Sequence, residues 1–294
     1  MSAGITTGRR VLVTGATGGF GAPTMTRLRE QGVQVVGLDR VRTGATASDE
    51  HLIEVDITDD AAVDAAVAEA VARLGGLDAV VHYAGIGTPN DAGGPLHPDA
   101  FRVIDVNLLG AWRVTAAVLP ALIEGRDRRG AKGRVVFVSS ELAYLTLPFV
   151  SAYSVAKRGM TAYADALRVE YGTELHVSTV YPGYVRTPIH DAGRAVGLAL
   201  EGQVRREEVE DIVGTVLRTL TAARPPRDTA GTRAGAIELW TARHLPGLVG
   251  PAVVRRLRRR AAAGGFDSSP VAAGLVRRLT GREVTPIGTV EDAR

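Results

Sequence analysis

Four glycines fall within seven residues of Thr14-Gly15-Ala16-Thr17-Gly18-Gly19-Phe20-Gly21, directly after the apolar run Val11-Leu12-Val13. Glycine lets a main chain turn tightly and lets a second group come close to the backbone. A buried strand that turns through glycines into a helix places that helix's unpaired N–H groups at the strand end, where they suit a pyrophosphate. A glycine-rich string says little by itself. Its position, after a first strand and before a helix, ties it to a dinucleotide-binding α/β sheet. Gly15, Thr17, Gly18, Gly19, Phe20 and Gly21 are therefore candidate cofactor contacts.

The rest of the chain repeats the alternation of short β-branched runs with helical stretches, which predicts a doubly wound parallel sheet with helices on both faces. Strands are expected at residues 10–14, 34–38, 51–55, 77–81, 134–139, 176–181 and 236–239. Helices are expected at 19–31, 59–74, 99–123, 151–171 and 207–222, with Pro120 bending the third. This gives a single Rossmann-type domain over residues 8–240 and a helical extension over 241–294. A chain of 294 residues has room for both.

Composition narrows the function classes. There is no cysteine, hence no thiolate metal site, disulfide framework or Cys nucleophile. No metal site is expected. The N-terminal residues carry no signal-peptide apolar segment, and no uninterrupted apolar run is long enough to span a bilayer, so a cytoplasmic location is expected. From Thr241 onward ten arginines face four acidic residues, so the formal charge of +3 is carried by the extension and the preceding residues are net acidic. That distribution does not suit nucleic-acid binding by the body.

Only two lysines occur, Lys132 and Lys157, in a chain that otherwise uses arginine. Lys157 stands four residues after Tyr153, a spacing that puts both on one face of a helix. A tyrosine with a pKa of about 10 is a poor proton donor or acceptor at neutral pH. A nearby ammonium favours the phenolate and makes a usable general acid/base. The plain alternative is chance helical spacing.

Asp39 ends the second strand about twenty residues beyond the glycines, where an acidic residue accepts ribose hydroxyls and repels a 2′-phosphate. It favours NAD over NADP, although Arg40 and Arg42 could receive such a phosphate. Asp56 could take an adenine amino group or merely cap the next helix.

Taken together, these motifs resemble the short-chain dehydrogenase/reductase family, compact branch, over about residues 8–240. Thr14-Gly15-x-x-x-Gly19-x-Gly21 is similar to its cofactor loop, and Asp56-Ile57 to its adenine-contacting pair. Asn107, Ser140, Tyr153 and Lys157 match its catalytic residues; Pro182-Gly183-Tyr184-Val185-Arg186-Thr187 matches its nicotinamide segment, with Val185 and Thr187 as contacts. The glycine loop also fits the epimerase branch pattern Thr14-Gly15-x-x-Gly18-x-x-Gly21. One departure stands out. His82-Tyr83-Ala84-Gly85 replaces Asn-Asn-Ala-Gly; Ala84 and Gly85 keep the close approach to cofactor, and His82 is expected to be a buried structural residue.

The resemblance implies hydride transfer between a nicotinamide and an alcohol or ketone. Tyr153 would exchange the proton, Ser140 bond the same oxygen, Lys157 lower the tyrosine pKa and hold ribose, and Asn107 hold a water. Ser139 would face the cofactor. Ile86, Leu142, Tyr144, Leu145, Phe149, Tyr184 and Ile189 would line a mainly apolar pocket for a small hydrophobic alcohol or ketone; Glu141 and His190 would be polar anchors or exposed loop residues. A non-redox epimerase or dehydratase and a nucleotide-sensing binding protein are the other readings. The family also implies a homo-oligomer, dimer or tetramer, through the helices at 99–123 and 151–171, where Met160, Tyr163 and Leu167 serve core or partner contacts. In the extension, Val253, Val254, Leu257 and Ala261 form an apolar stripe opposite arginines, and a second helix is expected at 269–279. Packing on the body or a neighbour is expected there, rather than contact with an anionic membrane surface.

Overall fold

A computed structural model describes residues 8–40, 49–198 and 204–283. Seven parallel strands form one sheet in the order β3-β2-β1-β4-β5-β6-β7. They are β1 (Arg10–Thr14), β2 (Gln34–Asp39), β3 (Leu52–Glu54), β4 (Ala79–His82), β5 (Gly133–Val138), β6 (Leu175–Tyr181) and β7 (Asp228–Ala230). Strands β1, β4 and β5 are buried along their whole lengths, as a sheet covered on both faces requires.

One face is covered by α2 (Asp60–Leu74), α4 (Ala111–Arg129) and α5 (Ser151–Glu170), whose Val67, Val114 and Met160 meet Leu12, Val80 and Phe137 in one core. The other is covered by α1 (Gly21–Glu30) and α7 (Val209–Thr221), whose Leu28 and Val213 meet Val11, Val81 and Val136; the short α6 (Asp191–Ala195) lies between α5 and α7 in the chain. Chain order reverses direction between β1 and β4, so the crevice at their carboxyl ends is the place where an open α/β sheet holds a ligand.

The helix expected at 99–123 is three pieces: α3 (Pro98–Ile104), a π-helical turn (Asp105–Gly110) and α4. Pro120 lies within α4. The stretch Pro98–Gly125 is long and apolar enough to cross a membrane by length and composition, which differs from the sequence expectation. Core helices share that property, and Val103, Val114, Val118 and Leu122 are fully buried inside the protein.

The strand expected at 236–239 is overturned. Those residues lie in α8 (Arg233–His244), and the last strand is β7. A four-residue stretch such as Ala236-Ile237-Glu238-Leu239 is too short for periodicity to distinguish strand from helix. Here the Thr232 hydroxyl accepts the Gly235 N–H and caps the helix, which buries Gly235, Leu239 and Ala242 on one side.

The extension folds as α9 (Pro246–Ala262), a short turn and α10 (Ala273–Thr280). Leu257 and Ala261 pack with Phe266, Val276, Phe149 and Leu198. Val254, expected in the apolar stripe, is 42% exposed. It stands one residue from Val253 and so points away from the face that Val253, Leu257 and Ala261 share.

Candidate active site

The glycine turn is built by close backbone approach. Gly15 has φ +66°, and a Cβ there would lie 2.7 Å from Ala84 N. A Cβ on Gly21 would overlap the Gly15 carbonyl oxygen, and one on Gly19 would lie 2.7 Å from Thr187 Cγ2. Thr14 Oγ1 accepts the Ala84 N–H at 3.3 Å, which ties the turn to the segment after β4. The result is a main-chain cradle at the N-terminus of α1, at one end of a cleft of about 540 Å³. Its glycine main chain, with Thr17 and Phe20 beside it, fits a dinucleotide.

Asp39 closes this end. Its Oδ2 accepts Thr17 N–H at 2.8 Å and the Thr17 hydroxyl at 2.7 Å, and its Oδ1 accepts Arg40 N–H at 2.7 Å. The carboxylate thus holds the loop and places its charge at the cleft wall beside Arg40. Arg42 lies outside the described residues. Asp56 Oδ1 accepts the N–H and hydroxyl of Thr58 at 3.0 and 2.8 Å, while Asp56 and Ile57 also line the cleft. Arg102, which the sequence did not single out, stands 3.7 Å from Asp56 and lines the same wall.

The middle of the cleft is where β4, β5 and α5 meet. Ala84, Gly85, Ser139, Ser140, Tyr153 and Lys157 all line it. Lys157 is 3% exposed; its Nζ donates to Val138 O at 2.9 Å and lies 5.7 Å from the Tyr153 ring centre. Burial pushes the Tyr153 phenol up to about 12, partly offset by its hydrogen bond with Ser140. Burial pushes the Lys157 ammonium down to about 8. Burial therefore outweighs the Lys157 ammonium 5.7 Å from the ring centre, and the phenol is raised where the sequence predicts a lowering.

Ser140 and Ser139 divide their tasks. Ser140 bonds Tyr153 and accepts Leu142 N–H at 3.1 Å. Ser139 lines the cleft, and its hydroxyl donates to Lys157 O at 3.0 Å, which ties the end of β5 to α5. Asn107 projects from the π-helical turn, fully buried. Its Oδ1 accepts Ile86 N–H at 2.8 Å and its Nδ2 donates to Ile86 O at 2.9 Å. It sits behind Gly85, whose added Cβ would lie 3.2 Å from Asn107 Oδ1 and 3.6 Å from Lys157 Nζ. Its side chain acts as a brace for the loop after β4.

His82 and Tyr83 fill the places of two small amides. His82 is 1% exposed, stacks on Phe137 at 4.9 Å and meets Thr115 Oγ1 at 3.0 Å. Burial, helped by Lys157, pushes it down to about 3, so it is a neutral core residue. Tyr83 bonds Thr24 through its hydroxyl at 2.8 Å and lines the cleft near Phe20.

Pro182, Gly183, Val185 and Thr187 form the opposite wall. Beyond Tyr153 the cleft turns apolar, with Ile86, Leu142, Phe149, Tyr184 and Ile189 as expected. Tyr144 and Leu145 are corrections. A 3₁₀ turn over Glu141–Ala143 redirects the chain, so Tyr144 packs between Arg158 and Arg243, 4.1 and 5.1 Å from its ring, and Leu145 joins a cluster with Leu147 and Val204. His190 lines the cleft with its Nε2 3.0 Å from Val185 O and its ring on Tyr184. Glu141 is buried and outside the lining, neither anchor nor exposed loop. The sequence reading missed Leu198, Val204 and Phe266, which complete the apolar end. Phe266 left one signal: it is the sole aromatic residue after Trp240.

A stability effect follows from Lys157. Its folded pKa of about 8 lies below its ordinary value of 10.5. Between those values the unfolded chain holds more protons, so this residue's contribution to stability rises with pH, being complete above 10.5 and lost as pH falls through about 8. Lys157→Met should raise the melting temperature, with the largest gain below pH 8 and a shrinking gain above it. Melting curves of both proteins across pH check this; a gain that does not vary with pH would contradict it.

Comparison with known proteins gives the family and the fold. The short chain dehydrogenase family matches residues 9–195. Oxidoreductase UcpA of Salmonella typhimurium is 30% identical over 234 residues, 76% of this chain and 83% of that protein. A short chain dehydrogenase from Mycobacterium paratuberculosis bound to NAD superposes with a TM-score of 0.66 at 27% identity, covering 77% of this chain and 97% of that one. For a short chain dehydrogenase from Burkholderia cenocepacia in complex with NADP the values are 0.69 and 22%, covering 85% and 98%; at that identity it shows the fold alone.

Proposed function

Because this chain belongs to the short-chain dehydrogenase family and is an oxidoreductase, we propose that it interconverts a hydrophobic secondary alcohol and its ketone, with NAD preferred to NADP. The observation that carries this reading is the convergence of Ser140, Tyr153 and Lys157 between a glycine cradle and an apolar pocket. A nicotinamide, when bound, supplies the hydride donor or acceptor. The chain's residues do the rest. Tyr153 Oη gives a proton to the substrate oxygen in reduction and takes it in oxidation. Ser140 Oγ bonds the same oxygen where charge develops. Lys157 anchors the ribose with a compact charge, and Asn107 fixes the loop carrying Gly85 and Ile86. Gly15, Thr17, Gly18, Gly19, Phe20 and Gly21 receive the pyrophosphate, and Pro182, Gly183, Val185 and Thr187 hold the nicotinamide end. Asp39 supports NAD through a charge that repels a 2′-phosphate. Nucleotide sensing alone has no use for Ser140 on Tyr153.

Residues 8–240 serve as the catalytic unit in this reading. The extension closes the apolar end through Phe266, which supports packing over membrane contact. The test is a panel of secondary alcohols and ketones with each cofactor. Faster turnover with NAD than NADP is expected. A preference for NADP would show that Arg40 or Arg102 outweighs Asp39.

We also propose a homo-oligomer, dimer or tetramer. Met160, Tyr163 and Leu167 face the core, whereas Leu109, Trp112 and Val155 are 40, 50 and 58% exposed on the π-turn, α4 and α5. Light scattering should find a mass above the 30.9 kDa chain; a purely monomeric species would refute this.

A further inference from the structure

Glu141 follows Ser140 directly, is 1% exposed, and has no hydrogen-bond partner among the described residues on either carboxyl oxygen. Beside it lies Glu207, 2% exposed, whose Oε2 accepts Gly183 N–H at 2.8 Å and whose Oε1 accepts the Thr232 hydroxyl at 2.7 Å. Both carboxyls face one gap walled by glycine main chain. A Cβ on Gly235 would lie 2.8 Å from Glu207 Oε1 and 2.9 Å from Glu141 Oε1, and one on Gly183 would lie 3.4 Å from Glu141 Oε2. Glu141 N–H also donates to Pro182 O at 2.9 Å. The gap thus joins the loop carrying Ser140, the Pro182-Gly183 wall of the cleft and the segment entering α7.

Both carboxyl oxygens of Glu207 already accept a hydrogen bond. None among the described residues reaches the Glu141 carboxyl, so charge there is costly, and two ionised carboxylates facing one buried gap repel. We propose that Glu141 is a positioning residue: while it keeps its proton, the Ser140 loop stays closed on the Pro182-Gly183 segment, and its ionisation against Glu207 pushes the two apart. The other charged groups set where this happens. Burial, then Glu238 on α8, then Glu207 push the Glu141 carboxyl up to about 8, with Arg205 opposing them. Arg205 is itself 3.6 Å from Glu238. The opening therefore falls just above neutral pH. It rests on the reading that this cleft holds a nicotinamide nucleotide.

NADH affinity, read from nucleotide fluorescence at pH values on either side of 8, tests this without a substrate. Lys157 titrates in the same range, but it is common to every protein compared. The ratio of dissociation constants, wild type over variant, therefore isolates the pair. For Glu141→Gln this ratio should rise by at least about threefold from the acid to the alkaline side, within the roughly tenfold per pH unit that one linked proton allows. Glu207→Gln, which keeps an acceptor for Gly183 N–H but cannot form the doubly charged pair, should give the same rise. It also serves if Glu141→Gln does not fold. Ratios constant with pH would overturn the positioning role, since lost packing alone shifts every pH equally. If wild type binds no NADH at any pH, the reading of the cleft itself fails instead.

Discussion

Replacing Tyr153 by Phe should lower turnover by about 10²–10⁴-fold, the range typical of a general acid/base group. The substitution removes one hydroxyl and keeps the ring that stands 5.7 Å from Lys157 Nζ. Nucleotide affinity should change little, because the cradle from Gly15 to Gly21 is made of main chain. The cost falls on the proton step alone, so kcat drops while NADH still binds. The phenol sits high, at about 12, through burial. It therefore stays protonated at neutral pH and gives its proton only to a strong base such as a developing alkoxide. Turnover near that of wild type in Tyr153→Phe would remove the residue from the mechanism.

Phe266→Ala carries the second large effect. The ring is 1% exposed, meets Phe149 edge-on at 6.3 Å and lies under Arg260 at 4.8 Å. Deleting a buried phenylalanine ring costs about 3–5 kcal/mol through lost transfer energy and the cavity left behind. The cavity here would open into the apolar end of the cleft, which Phe266 lines. Bulkier ketones should therefore gain in kcat/KM relative to small ones in the surviving folded protein. Urea titration and a size series of ketones read the two effects separately. Unchanged stability and unchanged size preference would show that the extension does not complete the pocket.

The nucleotide end of the site was legible because its chemistry is local. Glycines forced by backbone contact, Asp39 at a strand end and the Tyr153/Lys157 spacing are each fixed within one strand–turn–helix unit. The substrate end was legible only in part. Ile86, Leu142, Phe149, Tyr184 and Ile189 sit on loops whose direction follows from the sheet. Tyr144 and Leu145 were misplaced because a single 3₁₀ turn reverses which way side chains point. Phe266 reaches the cleft from more than a hundred residues beyond Phe149, through packing of α9 and α10, and no local pattern carries that. The strand expected at 236–239 failed for a related reason: four residues, Ala236-Ile237-Glu238-Leu239, are too few to show a period, and the Thr232 cap decided for helix. Glu141 read as a polar anchor or an exposed loop residue because its burial depends on Gly183 and Gly235 coming together from distant segments.

Hydride transfer itself is tested most directly with NADH deuterated at the transferring carbon of its nicotinamide ring. Reduction of a hydrophobic ketone by this protein should place deuterium on the carbinol carbon of the product, with oxidised cofactor formed in equal amount, and Tyr153→Phe should slow both by the same factor. A converted substrate that carries no deuterium while the cofactor remains unchanged would contradict the account and make the chain a non-redox enzyme.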